Sequence, residues 1–241
     1  MELELTGKYK ILTWGCQMNE EDSEQMSLYL EGMGYVASDD LESADVVLLN
    51  TCSVRQKPVD KVYSKLGQLR EMQETNPNMI IGVCGCMAQV ESVQIRQRAP
   101  YVDLVVGTGN IAAIPNLIQG ALHRRKGQSK KETAPYKGAG LTQLELPERK
   151  GAVVTDVPLR NVIRKAKLKA HVPIMYGCDK FCTFCIVPYT RGEERSRGIA
   201  DIVAECRELA ARGVKEITLL GQTVNSYKYA DGGRTTRLSD L

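Results

Sequence analysis

Three cysteines, Cys178, Cys182 and Cys185, stand in a C-x₃-C-x₂-C spacing towards the carboxyl end of the chain. Thiolates this close together reach one small metal centre only if the backbone wraps around it, so the spacing predicts a metal-binding loop. A four-ligand zinc site would draw a second ligand pair from further along, but only Cys206 follows, and both histidines precede the motif. Three thiolates on a four-iron cluster would leave one iron without a protein ligand. A zinc or redox loop remains the alternative.

A second set of cysteines follows the predicted strands of the first half of the chain. Cys16, Cys52 and Cys86 each come just after a different apolar strand. The carboxyl ends of parallel strands form the edge at which open α/β sheets bind their ligands. These three thiols are therefore predicted to form another three-cysteine cluster site. Cys84 falls inside a strand and Cys206 on the apolar side of a helix, so both are interpreted as structural.

Apolar runs alternate with amphipathic segments over the first 126 residues, which predicts a doubly wound parallel α/β sheet. The turn at Gly107-Thr108-Gly109-Asn110 lacks the third glycine of a dinucleotide-binding loop. The predicted strands are 8–14, 44–49, 79–84 and 102–106, and the predicted helices are 19–33, 58–74, 87–98 and a last one ending near residue 125.

The second half begins another α/β domain. A strand over 168–176, a helix over 201–212 and a strand over 216–220 are the opening of a (β/α) barrel. Two or three strands cannot close such a barrel, so the sequence is interpreted as a fragment. The predicted domains are 1–126, a basic linker over 127–167, and an incomplete barrel over 168–241.

Charge is unevenly distributed along the chain. Residues 1–76 hold 14 acidic and 7 basic side chains, whereas residues 122–171 hold 13 basic and 4 acidic ones. A basic region attracts phosphate backbones, although a solvated linker is an equal alternative for 122–150. No segment approaches the roughly 20 apolar residues of a membrane span, and no secretory signal is evident. We therefore expect a cytoplasmic protein.

Four motifs follow one another along the chain: Gly15-Cys16-Gln17-Met18-Asn19, Asn50-Thr51-Cys52-Ser53-Val54-Arg55, Gly85-Cys86-Met87-Ala88-Gln89, and Gly177-Cys178 through Arg197. In this order they resemble the motifs of the methylthiotransferases, a family of radical S-adenosylmethionine (SAM) enzymes, in the branch that acts on tRNA. The family continues through the rest of the barrel into an RNA-binding β domain, neither of which is in this sequence.

The resemblance implies two 4Fe-4S clusters, an auxiliary one on Cys16, Cys52 and Cys86 and a radical SAM cluster on the C-x₃-C-x₂-C loop. It implies that SAM supplies both a methyl group and a 5′-deoxyadenosyl radical. The product would be a methylthio group at C2 of N6-isopentenyladenosine beside the tRNA anticodon. The implied partners are tRNA and an external electron donor. Separately, we expect a monomer that does not contact membranes.

Weaker expectations concern SAM itself. Tyr176 follows the first barrel strand, and Gly221, Gln222 and Asn225 follow the second, where the amino and carboxylate groups of SAM would be held. Gln222 and Asn225 could instead bond the local backbone. The arginines of 190–197 are candidates for SAM carboxylate or RNA phosphate, with solvated charge as the alternative. Phe181 and Phe184 are interpreted as an apolar wall beside the cluster.

Two other functions stay open at the level of sequence. One is methylthio transfer to threonylcarbamoyladenosine in tRNA or to a ribosomal protein. The other is a non-catalytic metal-binding module that docks partners through its basic region, which would bind metal without cleaving SAM.

Overall fold

A computed structural model describes residues 7–53, 56–127, 140–146, 168–231 and 233–241. The chain divides into two compact units, at residues 146 and 147. The first unit contains a six-stranded sheet in the order β2-β1-β3-β4-β5-β6, and every neighbouring pair is parallel. Its strands are β1 (Lys8–Trp14), β2 (Val36–Ala37), β3 (Val46–Thr51), β4 (Ile80–Gly85), β5 (Leu104–Val106) and β6 (Leu141–Gln143).

Helices cover both faces of this sheet. They are α1 (Gln17–Gly32), α2 (Gln56–Thr75), α3 (Cys86–Arg98) and α4 (Ile114–Gly127). Side chains of α1 and α4, such as Met26 and Ile118, pack on one face, and those of α2 and α3, such as Leu66 and Ile95, pack on the other. Strands β3 and β4 are buried along their whole length because they lie between these two layers. The predicted doubly wound α/β class is confirmed.

Several predicted boundaries differ from the structure. Helix α1 begins at Gln17 with Cys16 as its N-cap, so Asn19, the predicted cap, lies inside the first turn. Strand β3 runs two residues further than predicted, to Thr51. The short edge strand β2 was not predicted. Within the predicted linker over 127–167, Leu141–Gln143 pairs with β5 as a sixth strand, and most of the remaining linker lies outside the described residues.

The second unit is built on two parallel strands connected by a helix. Strand β7 pairs in register with β10, so that Pro173 lies opposite Leu220. Helix α6 packs on this pair through Ile202 and Leu209. The elements of the second unit are β7 (Lys169–Pro173), β8 (Met175–Tyr176), α5 (Val187–Arg191), β9 (Arg195–Ser196), α6 (Ile199–Ala211), β10 (Glu216–Leu220), β11 (Lys228–Asp231) and β12 (Arg234–Arg237). The strand–helix–strand order agrees with the predicted opening of a barrel.

A buried ion pair ties the strands of the second unit to α6. Arg197 is 6% exposed and donates through Nη1 to Glu205 Oε2 and to the Pro173 carbonyl, each at 2.7 Å. Tyr227 donates its hydroxyl to the Arg197 carbonyl at 2.8 Å. In the described part of the chain, no helix is long and apolar enough to cross a membrane.

Candidate metal centres

Strand register places three of the four cysteines of the first unit, Cys16, Cys52 and Cys86, along one edge of the sheet. Trp14 lies opposite Thr51, and Thr51 lies opposite Gly85, so the last paired residues of β1, β3 and β4 form one row. Cys52 and Cys86 each follow this row by one residue, and the Cys52 N–H donates to the Trp14 carbonyl at 3.0 Å. Cys16 follows Trp14 by two residues. Three adjacent strand ends therefore each carry a thiol.

This edge is also the point at which the order of the sheet reverses. After β1 the chain first adds β2 on one side and then β3 on the other, so the helices after β1 and β3 lie on opposite faces. Open α/β sheets bind ligands in the crevice that such a reversal leaves at the carboxyl ends of the strands. Cys16 and Cys52 lie at the two sides of that crevice.

Two fully buried asparagines connect the cysteine-bearing segments. Asn50 at the end of β3 donates through Nδ2 to the Asn19 carbonyl and to Ser23 Oγ, both at 2.8 Å. Asn19 Nδ2 lies 3.4 Å from Asn50 Oδ1, and Asn19 Oδ1 accepts the Cys16 N–H at 3.2 Å. Both side chains are 0% exposed. Asn50 thus anchors the first turn of α1, and with it the backbone of Cys16, to the strand that precedes Cys52.

The turn before Cys86 requires glycine. Gly85 has φ 86° and ψ −159°, a conformation that L-residues with a side chain adopt only at a cost. A Cβ built on Gly85 would overlap Asn50 Oδ1 and lie 2.8 Å from the Thr51 carbonyl. The missing side chain therefore lets β4 end directly against the asparagine network, with Cys86 as the first residue of α3.

Each of the three edge thiols keeps some exposed surface, whereas Cys84 has none. Cys16 is exposed, Cys52 is partly buried and Cys86 is buried. Cys84 lies inside β4 with no exposed surface, and burial together with the nearby Asp22 charge raises its pKa to about 12. A thiol that resists ionisation is a poor metal ligand, because metals bind the thiolate. The predicted structural role of Cys84 fits this environment.

The second set of cysteines lies in a loop whose two ends are joined. Met175 pairs with Ser196 and Tyr176 with Arg195 in an antiparallel ladder of two residues, β8 with β9. Just inside this ladder, the Cys178 N–H donates to the Gly192 carbonyl at 3.0 Å. The predicted loop conformation is confirmed, and the loop leaves and returns to the same place at the end of the barrel strand.

Within this loop the three thiols differ in exposure. Cys178 is 7% exposed, Cys185 is partly buried and Cys182 is exposed. The Cys185 N–H donates to the Cys182 carbonyl at 2.9 Å, which forms a turn between them. Phe181 and Phe184, the predicted apolar wall, lie at the surface with 59% and 92% exposure. Phe181 makes an edge-to-face contact with Tyr189, with ring centroids 6.1 Å apart.

The residues predicted to hold SAM lie on two neighbouring segments. Tyr176 ends β8 immediately before the cysteine loop, and Gly221, Gln222 and Asn225 follow β10. Asn225 is exposed, and the other three are partly buried. Of the arginines in 190–197, Arg197 is buried and forms an ion pair with Glu205 of α6.

The donor set suits iron–sulfur clusters better than single ions. Among the described residues, no three histidine, cysteine or acidic side chains come close enough to bind one metal ion. Each candidate site contains thiols as its predicted donors, and soft thiolates select iron–sulfur clusters, zinc or Cu(I). A four-iron cluster spreads its thiolates over different irons. Thiols arranged around a crevice or along a loop fit that demand.

Sequence reasoning missed Asn50 as a member of the first site. The sequence signals were its place in the motif that begins at Asn50 and its polar side chain at the end of an otherwise apolar strand. Its partners are 27 and 31 residues away in the chain, so the contact depends on how α1 packs against the sheet.

Comparisons with known proteins agree with this architecture. Residues 8–107 match the family described as uncharacterized protein family UPF0004, and residues 172–235 match the radical SAM superfamily. A tRNA-2-methylthio-N(6)-dimethylallyladenosine synthase of Bacillus thuringiensis is 47% identical over 222 residues, which are 91% of this chain and 40% of the relative. The synthase of that name from Geobacillus kaustophilus is 48% identical over 91% of this chain and 38% of the relative.

The fold and the two match regions define a radical SAM protein with an N-terminal UPF0004 domain. Across both match regions the chain is similar to the two synthases named above. It spans about 40% of the length of those relatives.

Proposed function

We propose that this chain belongs to an enzyme that adds a methylthio group to C2 of N6-isopentenyladenosine, next to the anticodon of tRNA. The observation that carries the proposal is the pair of three-cysteine sites. One lies at the switch point of a doubly wound sheet and the other in the loop after a barrel strand. Both sites occur in a chain that is 47% identical to the tRNA-2-methylthio-N(6)-dimethylallyladenosine synthase of Bacillus thuringiensis.

Six cysteines would bind the two clusters. Cys16, Cys52 and Cys86 would bind an auxiliary 4Fe-4S cluster, because their strands end in one row at the crevice of the sheet. Cys178, Cys182 and Cys185 would bind the radical SAM cluster. Each set of three cysteines would leave one iron of a four-iron cluster without a cysteine and open to a further ligand. Tyr176, Gly221, Gln222 and Asn225 would hold SAM.

When bound, SAM and the clusters supply the methyl group and the organic radical that an unactivated aromatic C–H bond requires. The contribution of the protein is placement. The Asn19–Asn50 network would fix the separation of two strand ends in the first unit. The β8–β9 ladder would fix the ends of the loop in the second. Placement of this kind turns an encounter between separate reactants into a reaction within one complex.

The proposed partners follow from the proposed methylthio transfer to tRNA. The substrate would be tRNA, attracted by the basic region over 122–171, and electrons would come from an external donor. We propose a cytoplasmic monomer. The nearest alternative substrates are threonylcarbamoyladenosine in tRNA and a ribosomal protein.

Iron and sulfide content tests the cluster assignment. After anaerobic reconstitution the parent chain should hold about eight irons, and a Cys16/Cys52/Cys86→Ala variant about four. A Cys178/Cys182/Cys185→Ala variant should also hold about four. Cys206→Ala is the matched control, because it removes a thiol that packs beside the core of the second unit, and it should keep the full content.

A parent chain with about four irons, of which the Cys16/Cys52/Cys86→Ala variant loses none, would leave an ordinary radical SAM enzyme and contradict the proposal. Chromatography of tRNA nucleosides tests the substrate. A strain lacking the gene should accumulate N6-isopentenyladenosine without its methylthio derivative. Loss of a methylthio group from threonylcarbamoyladenosine, or from a ribosomal protein, would assign the activity to that alternative substrate.

A further inference from the structure

A threonine side chain lies beside the most buried thiol of the cysteine loop. The Sγ atom of Cys178 and the Oγ1 atom of Thr223 are 3.7 Å apart, within hydrogen-bonding distance for sulfur. Cys178 is 7% exposed, and Thr223 is partly buried. Thr223 belongs to neither the cysteine motif nor the set of predicted SAM contacts. Its position calls for a physical explanation.

Strand register brings the two residues together. Pro173 lies opposite Leu220 in the β7–β10 ladder, and the Ile174 N–H donates to the Leu220 carbonyl at 2.8 Å. The segments that follow these strands, which carry Cys178 and Thr223, therefore leave the sheet side by side. The contact between Cys178 and Thr223 therefore depends on the register of β7 and β10 as well as on the loop.

A glycine then lets the segment after β10 approach the loop closely. A Cβ built on Gly221 would lie 2.5 Å from Met175 Cγ and 3.2 Å from Val224 Cγ1. Met175 is fully buried and immediately precedes the residue that opens the cysteine loop. Because Gly221 has no side chain, the backbone leading to Thr223 can pack against β8.

The backbone of Thr223 is held by a local turn. The Ser226 N–H donates to the Thr223 carbonyl at 2.8 Å, and the 3₁₀ turn Val224–Ser226 follows directly. Tyr227, 1% exposed, then anchors this turn in the core of the second unit. The hydroxyl is therefore carried on a segment fixed at both ends, by β10 and by Tyr227.

We infer that Thr223 is a positioning residue for the radical SAM cluster and that its hydroxyl donates a hydrogen bond to the Cys178 thiolate. A thiolate has no proton to donate, so in the metal-bound state the hydroxyl must be the donor. The inference rests on the proposed function, since it assumes a cluster on this loop.

A donor to a cluster thiolate has a measurable consequence. Reduction adds negative charge to the cluster, and a hydrogen bond to one of its sulfurs stabilises that charge. Hydrogen bonds to the sulfurs are among the factors that set the reduction potential of such clusters. Thr223 should therefore raise the potential of this cluster and orient the Cys178 side chain.

The test is a redox titration of the reconstituted chain, followed by electron paramagnetic resonance. Thr223→Val keeps the shape of the side chain and removes the hydroxyl, so the midpoint potential should become more negative. Thr223→Ser keeps the hydroxyl and should stay close to the parent. Thr218→Val, the same substitution within β10, is the matched control and should also leave the potential unchanged. Repeating the titration in the Cys16/Cys52/Cys86→Ala background leaves one cluster to observe.

Iron content and circular dichroism of each variant separate the possible outcomes. A Thr223→Val variant that holds the parental iron and has the parental potential overturns the inference and leaves the proposed function intact. An equal shift in Thr223→Val and Thr223→Ser also overturns it, because the hydroxyl would not be the cause. A parent chain that binds no iron on the Cys178 loop would refute both the proposed function and the inference.

Discussion

Replacing Gly85 with alanine should disrupt the turn that places Cys86 at the edge of the sheet. At φ 86° and ψ −159° the backbone lies in a region used almost only by glycine, which costs another residue about 1 to 3 kcal/mol. The new Cβ would also overlap Asn50 Oδ1 and lie 2.8 Å from the Thr51 carbonyl. Forcing an extra carbon into such a packed site costs about 1 to 3 kcal/mol. The combined loss is about 2 to 6 kcal/mol, against a typical total of about 5 to 15 kcal/mol.

Urea denaturation followed by tryptophan fluorescence measures this loss of stability in the first structural unit, which contains Gly85. Trp14 is the single tryptophan of the sequence and lies at the end of β1, opposite Thr51. Gly67→Ala is the matched control, because a Cβ at this exposed helical position would meet nothing within 4 Å. Alanine should stabilise helix α2 there by about 0.5 to 1 kcal/mol. The two identical substitutions should thus shift the denaturation midpoint in opposite directions.

A midpoint for Gly85→Ala at or above that of the parent would refute this account of the turn. A second readout separates stability from metal binding. If Gly85→Ala folds, its displaced network should reduce the iron held in the Cys178/Cys182/Cys185→Ala background, where only the first site remains. Full iron content with lowered stability would show that the turn serves the fold but not the site.

Three further predictions concern the interior. Arg125 and Asp103 form a buried pair with Nη2 at 2.7 and 2.8 Å from the carboxylate oxygens, so Arg125→Met should lower the free energy of unfolding by about 3 to 5 kcal/mol. Burial raises the pKa of Asp103 even beside this cation, so Asp103 should take up a proton in the Arg125→Met variant. The loss of unfolding free energy caused by Arg125→Met, measured by urea denaturation, should therefore be smaller near about pH 4 than near about pH 7. Cys84 should resist iodoacetamide in the folded apo chain while exposed Cys16 reacts, as peptide mass spectrometry would reveal; early Cys84 labelling would contradict its burial. Tyr227→Phe removes one buried hydrogen bond and should lower the free energy of unfolding by about 1 kcal/mol, whereas an unchanged midpoint would mean that this bond adds nothing.

The alternation of strands and helices could be predicted from the sequence because strands buried on both faces consist of runs of apolar residues. Val46–Thr51 and Ile80–Gly85 are buried at every position, and both were predicted to within two residues. The cysteines at their ends could be assigned to one edge, since parallel strands all end on the same side. The predicted doubly wound fold is confirmed for this reason, while the ligand roles of the cysteines remain predictions.

Contacts between distant segments could not be predicted in this way. Asn50 bonds to residues of α1 only because of how that helix lies on the sheet, and Thr223 meets Cys178 only through the register of β7 and β10. Strand β6 was missed because its three residues lie in a polar stretch without periodicity. Helix α1 starts earlier than predicted because its N-cap is Cys16. The prediction chose Asn19 because asparagine is a preferred N-cap residue and cysteine is not.

The two-residue ladder at the base of the cysteine loop affects the entropy of metal binding. Bringing the ends of a flexible segment together has an entropic cost that rises with its length, by about 0.6 kcal/mol for each doubling. Here Met175–Ser196 and Tyr176–Arg195 already join the ends through main-chain pairing. If the proposed cluster forms on this loop, its binding does not have to bring the two ends of the loop together. Closure by the backbone thus makes the proximity of the two loop ends independent of the metal.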